Sequence, residues 1–212
     1  MLIYAIRSVL HLALRLYLKV YHRFGITGRE NIPPTGSFVM ICNHASHLDA
    51  LCLLSSLPLR RLHRTFPAAA ADYFFSSLTR SLVSTVFVNG LPFDRFKKGE
   101  ESLELCRQLL AHPGNILILF PEGTRSTDGN IERFRSGIGR LVAGTETPVV
   151  PCYLSGASSA WPKASVFPRA RSLHLQVGKS REYADRSLND RQQIAAICEE
   201  LRSDVIALSK RY

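Results

Sequence analysis

Phe38-Val39-Met40-Ile41-Cys42-Asn43-His44-Ala45-Ser46-His47-Leu48-Asp49 runs from five apolar residues into a polar turn, and Ala50 to Leu57 is apolar again. A short unbroken apolar run reads as a strand buried on both faces, and the second run reads as a helix. The stretch therefore predicts strand, loop and helix, with His44 at the strand end and Asp49 at the helix start. An imidazole titrates near neutrality and can take a proton from an alcohol. A carboxylate that accepts the other ring N–H fixes the tautomer and stabilises the imidazolium. The spacing alone leaves a second reading open, in which Asp49 caps its helix beside a satisfied surface His44. His47 has no partner at a telling spacing and is read as structural.

Working outward, Ile116 to Phe120 predicts a strand that runs into Pro121-Glu122-Gly123-Thr124-Arg125-Ser126. Val83 to Val88 predicts another, ending in Asn89-Gly90 and the turn Leu91-Pro92-Phe93-Asp94-Arg95. Val149 to Leu154 and Leu173 to Val177 complete the strands. Helices are predicted over Lys97 to Leu110, stopped by His112-Pro113-Gly114, over Ile138 to Ala143, and over Leu188 to Leu208. Gly25 to Gly36 is a boundary, Arg60 to Arg64 a basic patch, and Pro67 to Ala71 an Ala-rich stretch. Alternating strands and helices predict an α/β fold: a single domain with a mixed, largely parallel central sheet flanked by helices. In such sheets sites gather at strand carboxyl ends, where the His44, Gly90 and Phe120 segments all fall.

These loops carry Arg95, Arg125 and, in Phe134-Arg135-Ser136-Gly137, Arg135. Forked guanidinium donors at one sheet end suit a phosphate monoester. The alternative for each is a surface ion pair, such as Asp94 with Arg95. There is no Gly-x-Ser-x-Gly elbow, so the group deprotonated by His44 is read as a substrate hydroxyl, with direct transfer in a ternary complex. His44, His47 and Asp49 lack a second cluster of ligands, so no metal site is expected. The five cysteines, Cys42, Cys52, Cys106, Cys152 and Cys198, are scattered without a Cys-x-x-Cys and read as reduced core residues.

The 212 residues suit one domain, and Lys+Arg 27 against Asp+Glu 17 leaves a formal charge of +10. Such a surplus favours an anionic partner. Residues 1–24 contain no Gly, Pro or acidic residue, while Arg7, His11, Arg15, Lys19 and Arg23 recur every four positions. Charges interrupt the run too often for a spanning helix or a secretory signal. The expectation is a helix lying in a membrane interface, cations toward headgroups and Leu, Tyr and Phe toward acyl chains, ahead of a domain over 25–212. The other reading is a helix packed on its own domain with a solvated basic face.

The His44/Asp49 segment, Gly90 to Arg95, Phe120 to Arg125 and Val149-Val150-Pro151 together resemble, in order and rough spacing, the four blocks of the glycerophosphate and lysophosphatidate acyltransferases. The match runs from about Gly25 to Gly156, and chain length is most like compact bacterial members. The resemblance implies transfer of a fatty acyl group from an acyl-CoA or acyl carrier protein thioester to a lysophospholipid hydroxyl, most simply 1-acyl-glycerol-3-phosphate, with no further cofactor. It implies His44 as base and Asp49 as its partner. It also implies that Gly90, Phe93 and Arg95 shape or bind the acceptor phosphate, that Glu122, Gly123, Thr124 and Arg125 bind the glycerol phosphate, and that Pro151 supports the acyl site. Arg135 stands where the family often has lysine, and Pro92 is a departure in the second block. The expected location is the cytoplasmic face of the inner membrane, as a peripheral protein on anionic phospholipid. The competing readings are another lyso-lipid acceptor, such as a lyso-ornithine lipid, and a lipid-surface protein that makes no product. A nucleic-acid binder is a third reading, disfavoured because no recognition module is present.

Overall fold

The computed structural model describes residues 2–70, 91–93, 99–126, 128–162 and 165–210. The predicted strand over 83–88 and the candidate residues Gly90 and Arg95 lie outside them. The described elements are α1 (Leu2–Tyr21), β1 (Gly25–Thr27), β2 (Phe38–Cys42), α2 (Asp49–Ser56), β3 (Thr65–Ala70), β4 (Leu91–Phe93), α3 (Gly99–Ala111), β5 (Ile116–Leu119), α4 (Ser136–Val142), β6 (Val149–Ser155), α5 (Ala157–Ala160), β7 (His174–Val177) and α6 (Arg191–Ser209).

The strands form one seven-stranded sheet in the order β1-β7-β6-β2-β5-β3-β4. Only β6 and β7 pair antiparallel; β2 runs parallel to both β5 and β6. The expected α/β class and largely parallel sheet are what the chain adopts. All five residues of β2 are buried, as a strand covered on both faces requires. One core cluster joins Phe38, Met40, Ile116 and Ile118 to Leu14 and Leu18 of α1 and Leu53 and Leu54 of α2. The other joins Val39, Ile41 and Leu117 to Leu103 of α3, Ile138 of α4 and Ile197, Leu201 and Val205 of α6. Alternate residues of the same strands thus feed opposite layers. Helix α6 begins where Asp190 accepts from the backbone N–H groups of Gln192 and Gln193, a cap worth about 1 kcal/mol.

Three features differ from the sequence reading. The Gly25 to Gly36 boundary contains an edge strand, β1, paired with β7 through Gly25↔His174. As far as Ala70, the last residue described there, the Ala-rich stretch belongs to strand β3, aligned on β5 by Thr65↔Ile116 and Pro67↔Ile118. The basic patch is not all surface: Arg61 is buried and donates to the carbonyls of Pro33 (3.1 Å), Gly36 (2.5 Å) and Gly114 (3.3 Å). It ties three loops together.

Helix α1 forms as predicted and exposes an apolar side, but part of its titratable stripe turns into the domain. Arg7 and His11 are buried, along with Leu14 and Leu18, and Arg15 donates to the Leu57 carbonyl. Burial lowers the pKa of both arginines. The exposed side carries Ile6, Val9, Leu12, Leu16 and Val20. Arg7, His11 and Arg15 of the titratable stripe thus lie against the domain, where the Leu57 carbonyl accepts from Arg15, whereas Lys19 and Arg23 are exposed with the apolar side. No described helix is long and apolar enough to cross a membrane.

Candidate active site

In register, Ile41 of β2 lies opposite Leu119 of β5, and Cys42 opposite Cys152 of β6. The chain leaves β2 and β5 on the same side of the sheet, so the His44 turn and the Phe120–Arg125 loop emerge as neighbours. Asn43 fixes the start of the turn. Its side-chain amide accepts from Leu154 N at 2.8 Å and donates to Leu154 O at 3.1 Å. This imitates one more rung of the β2–β6 ladder.

His44 Nδ1 lies 2.8 Å from Asp49 Oδ2. The same oxygen accepts from the backbone N–H of Ala45 at 2.8 Å and of Ser46 at 2.9 Å. An oxygen that takes two amide donors is an acceptor, so Nδ1 carries the ring hydrogen and Nε2 the lone pair. The Asp49 side chain is fully buried, whereas that of His44 is 16% exposed. The Phe120 ring stacks on the imidazole, centroids 4.2 Å apart and planes at 18°. The ring is held at one nitrogen and covered on one face, and Nε2 is the atom available to an incoming hydroxyl.

Glu122 is the second organiser. Its Oε1 accepts from His44 N at 2.8 Å and its Oε2 from Glu132 N at 3.0 Å. Ser126 N donates to His44 O at 2.7 Å. The buried carboxylate thus bolts the β5 loop to the His44 turn through main-chain atoms, a bracing job the sequence reading did not assign to it. Gly123 takes φ +74, and a Cβ there would fall 2.4 Å from Arg135 Nε. Arg135 uses that Nε to donate to Glu122 O at 3.2 Å. Arg125 meets His47, with Nη1 2.7 Å from Nε2 and 3.0 Å from Nδ1. The His47 ring in turn lies 5.1 Å from Trp161. His47, read as structural from sequence, therefore shares the site with Arg125. No spacing rule signals this, because the partner is 78 residues away.

A model of the acyltransferase family matches residues 23–155, well over half of the chain. The chain belongs to the acyltransferase family. It is 28% identical to a 1-acyl-sn-glycerol-3-phosphate acyltransferase of Chlamydomonas reinhardtii over 87% of this chain and 52% of that protein. It is 30% identical to the chloroplastic 1-acyl-sn-glycerol-3-phosphate acyltransferase BAT2 of Brassica napus over 68% of this chain and 41% of that one. The chain spans about half the length of the curated relatives it matches. In fold it is similar to the crystal structure of the 1-acyl-sn-glycerophosphate acyltransferase PlsC from Thermotoga maritima. There the TM-score is 0.71 at 19% identity, covering 96% of this chain and 81% of that one.

The rest of this acyltransferase-family site follows from burial. Burial raises the Glu122 pKa, and the amide donors of Glu132 and His44 pull it back in part. All five cysteines are buried and free, and burial pushes their thiols up, Cys106 to about 11. None is a ready thiolate nucleophile. Thr124 is exposed, and Pro151 sits buried inside β6 opposite Ile41, its carbonyl accepting from Gly178 N at 2.8 Å. Phe93 ends β4, opposite Ala70 of β3.

Proposed function

We propose that this chain transfers a fatty acyl group from an acyl-CoA or acyl carrier protein thioester to the free hydroxyl of a lysophospholipid. The acceptor we favour is 1-acyl-glycerol-3-phosphate, which gives phosphatidic acid. The observation that carries the proposal is the His44–Asp49 pair at 2.8 Å, with Nε2 left for a substrate. The activities named for the relatives support the same acceptor.

His44 Nε2 takes the hydroxyl proton as the oxygen attacks the thioester carbonyl. Asp49 stabilises the imidazolium that forms. The tetrahedral adduct then breaks its C–S bond, and the imidazolium returns the proton to the departing thiolate. The products are an ester and a free thiol. Arg125, joined by Arg95, grips the acceptor phosphate, with Gly90 and Phe93 shaping that side. Arg135 and Gly123 hold the Phe120–Arg125 loop, which carries Thr124, and Pro151 stiffens the strand beneath the acyl site. Helix α1 lies on an anionic leaflet and presents Val9, Leu12, Leu16 and Val20 to it, while Arg7, His11 and Arg15 turn toward the domain instead of the headgroups.

The test is purified protein with a labelled acyl thioester and a panel of lysolipids, the products read by mass. The monoester acceptor should be acylated fastest. No acylated product from any acceptor would refute enzymatic transfer, and a clear preference for a zwitterionic acceptor would refute the headgroup assignment.

A further inference from the structure

The backbone beyond Trp161 leads to a segment, Ser165 to Arg171, that the chemistry above does not use. At its tip Val166 and Phe167 are each 77% exposed, more than any other large hydrophobic side chain among the described residues. A lone exposed apolar residue is ordinary. The surroundings of this pair are not. Tyr21 of α1 donates its O–H to Pro168 O at 3.3 Å, His22 Nδ1 lies 3.1 Å from Arg171 O, and Arg23 Nε donates to Ser172 Oγ at 3.0 Å. Leu173 N donates to His22 O at 3.0 Å. The segment is stitched to the carboxyl end of α1.

An exposed apolar pair therefore stands next to the carboxyl end of α1. Val9, Leu12, Leu16 and Val20 follow one another at intervals of three or four and are all exposed, so they line one side. Beyond that end stand Val166 and Phe167. Lys19, Arg23, Arg169 and Arg171 are exposed around the join. We propose that Val166 and Phe167 are a second membrane contact, inserted with the apolar side of α1 into an anionic phospholipid leaflet.

The occupant follows from the chemistry of the surface. Two projecting apolar side chains continue an apolar helix side and are bordered by cations. That pattern matches acyl chains below negatively charged headgroups. Two separated contacts also fix orientation, which one helix free to roll cannot do. The loop is closed at its base, where Arg169 N donates to Ala160 O at 2.7 Å. That base adjoins the site, since Ser46 Oγ donates to Trp161 O at 2.8 Å. Insertion of the tip holds the His44 turn beside the headgroup layer, where a single-chain acceptor resides. This consequence rests on the proposed function; the docking itself does not.

Because the native cysteines are buried, Phe167→Cys can be labelled selectively with an environment-sensitive fluorophore. Vesicles containing anionic lipid should shift its emission to the blue, and neutral vesicles should do so far less. The variant Val166→Glu/Phe167→Glu should lose roughly tenfold or more in vesicle retention. It should also lose turnover of bilayer-presented acceptor while keeping turnover of acceptor in detergent micelles. A probe that stays in water while the protein is vesicle-bound would overturn the proposal, as would unchanged retention of the double variant. A probe that responds to an acidic carrier protein but not to vesicles would overturn it in favour of a protein partner. Absence of turnover in the parent protein would sink the proposed function and leave the retention and fluorescence results to stand alone.

Discussion

The His44 turn and helix α1 both draw ionisable side chains inward, and they do so to opposite ends. In the turn, one oxygen of a fully buried carboxylate takes three N–H donors, and the imidazole it holds is partly exposed. In α1, Arg7, His11 and Arg15 turn into the domain, and an apolar side bordered by Lys19 points outward. Burying a charge is costly unless the protein supplies partners. One region uses that supply to fix the His44 ring. The other uses it to draw Arg7, His11 and Arg15 away from an apolar surface. The same physical device can thus prepare a site for chemistry or for adhesion, depending on which group is left outside.

Substitutions can break each half of this contrast separately. The largest effect is expected for His44→Ala, which should lower thioester-dependent acylation by about 10²–10⁴-fold and leave vesicle retention unchanged. Equal losses in both measurements would show that the two regions are not independent. Next, Glu122→Gln removes one acceptor from a carboxylate serving His44 N and Glu132 N. Leaving one buried amide unpaired should cost about 1–3 kcal/mol in chemical denaturation, with turnover reduced as well. Leu16→Asp, on the exposed side of α1, should reduce vesicle retention about tenfold and leave the melting midpoint near that of the parent. A large drop in melting would mean that this side is packed in solution.

The smallest expected effect is a pH dependence at the end of α1. Burial holds the His22 pKa below its ordinary value, against the contact with the Arg171 carbonyl. His63 is lowered as well, by burial first and then by Arg7. Below the unfolded value of about 6.5, the unfolded chain binds protons that the folded chain refuses. The stability contributed by neutral His22 and His63 is therefore intact above that pH and is lost as pH falls toward their folded values. The melting midpoint should drop by a few degrees between neutrality and mild acid. His22→Gln should flatten that slope, and an unchanged slope would remove His22 from the account.

The parts of the fold legible in the sequence are those whose signal is local. Buried strand β2, the turn after it and the start of α2 are adjacent in the chain, so an apolar run, a histidine and an aspartate announce them together. Helix α6 has its cap at Asp190 and its apolar spacing within one segment. Strand β3 was not legible, because alanine and proline favour strands poorly and its register comes from β5. The orientation of α1 was not legible for a related reason. Its period separates two sides, but the groups that decide which side faces inward, such as the Leu57 carbonyl, lie far along the chain. In the site, the His44–Asp49 relation could be read at five-residue range. The Arg125–His47 contact and the Glu122 brace could not, because they join loops that only the sheet brings together.

The carboxylate that steers His44 is itself steered by the N–H groups of Ala45 and Ser46, and Glu122 grips the N–H of His44. Main-chain hydrogens are common to every residue type but proline. Nineteen of the twenty ordinary amino acids could therefore supply the same hydrogen at position 45, leaving volume as the chief filter on what that position tolerates. Drift in side-chain identity at position 45 would leave the trajectory of the imidazole intact, whereas a proline there would misdirect it.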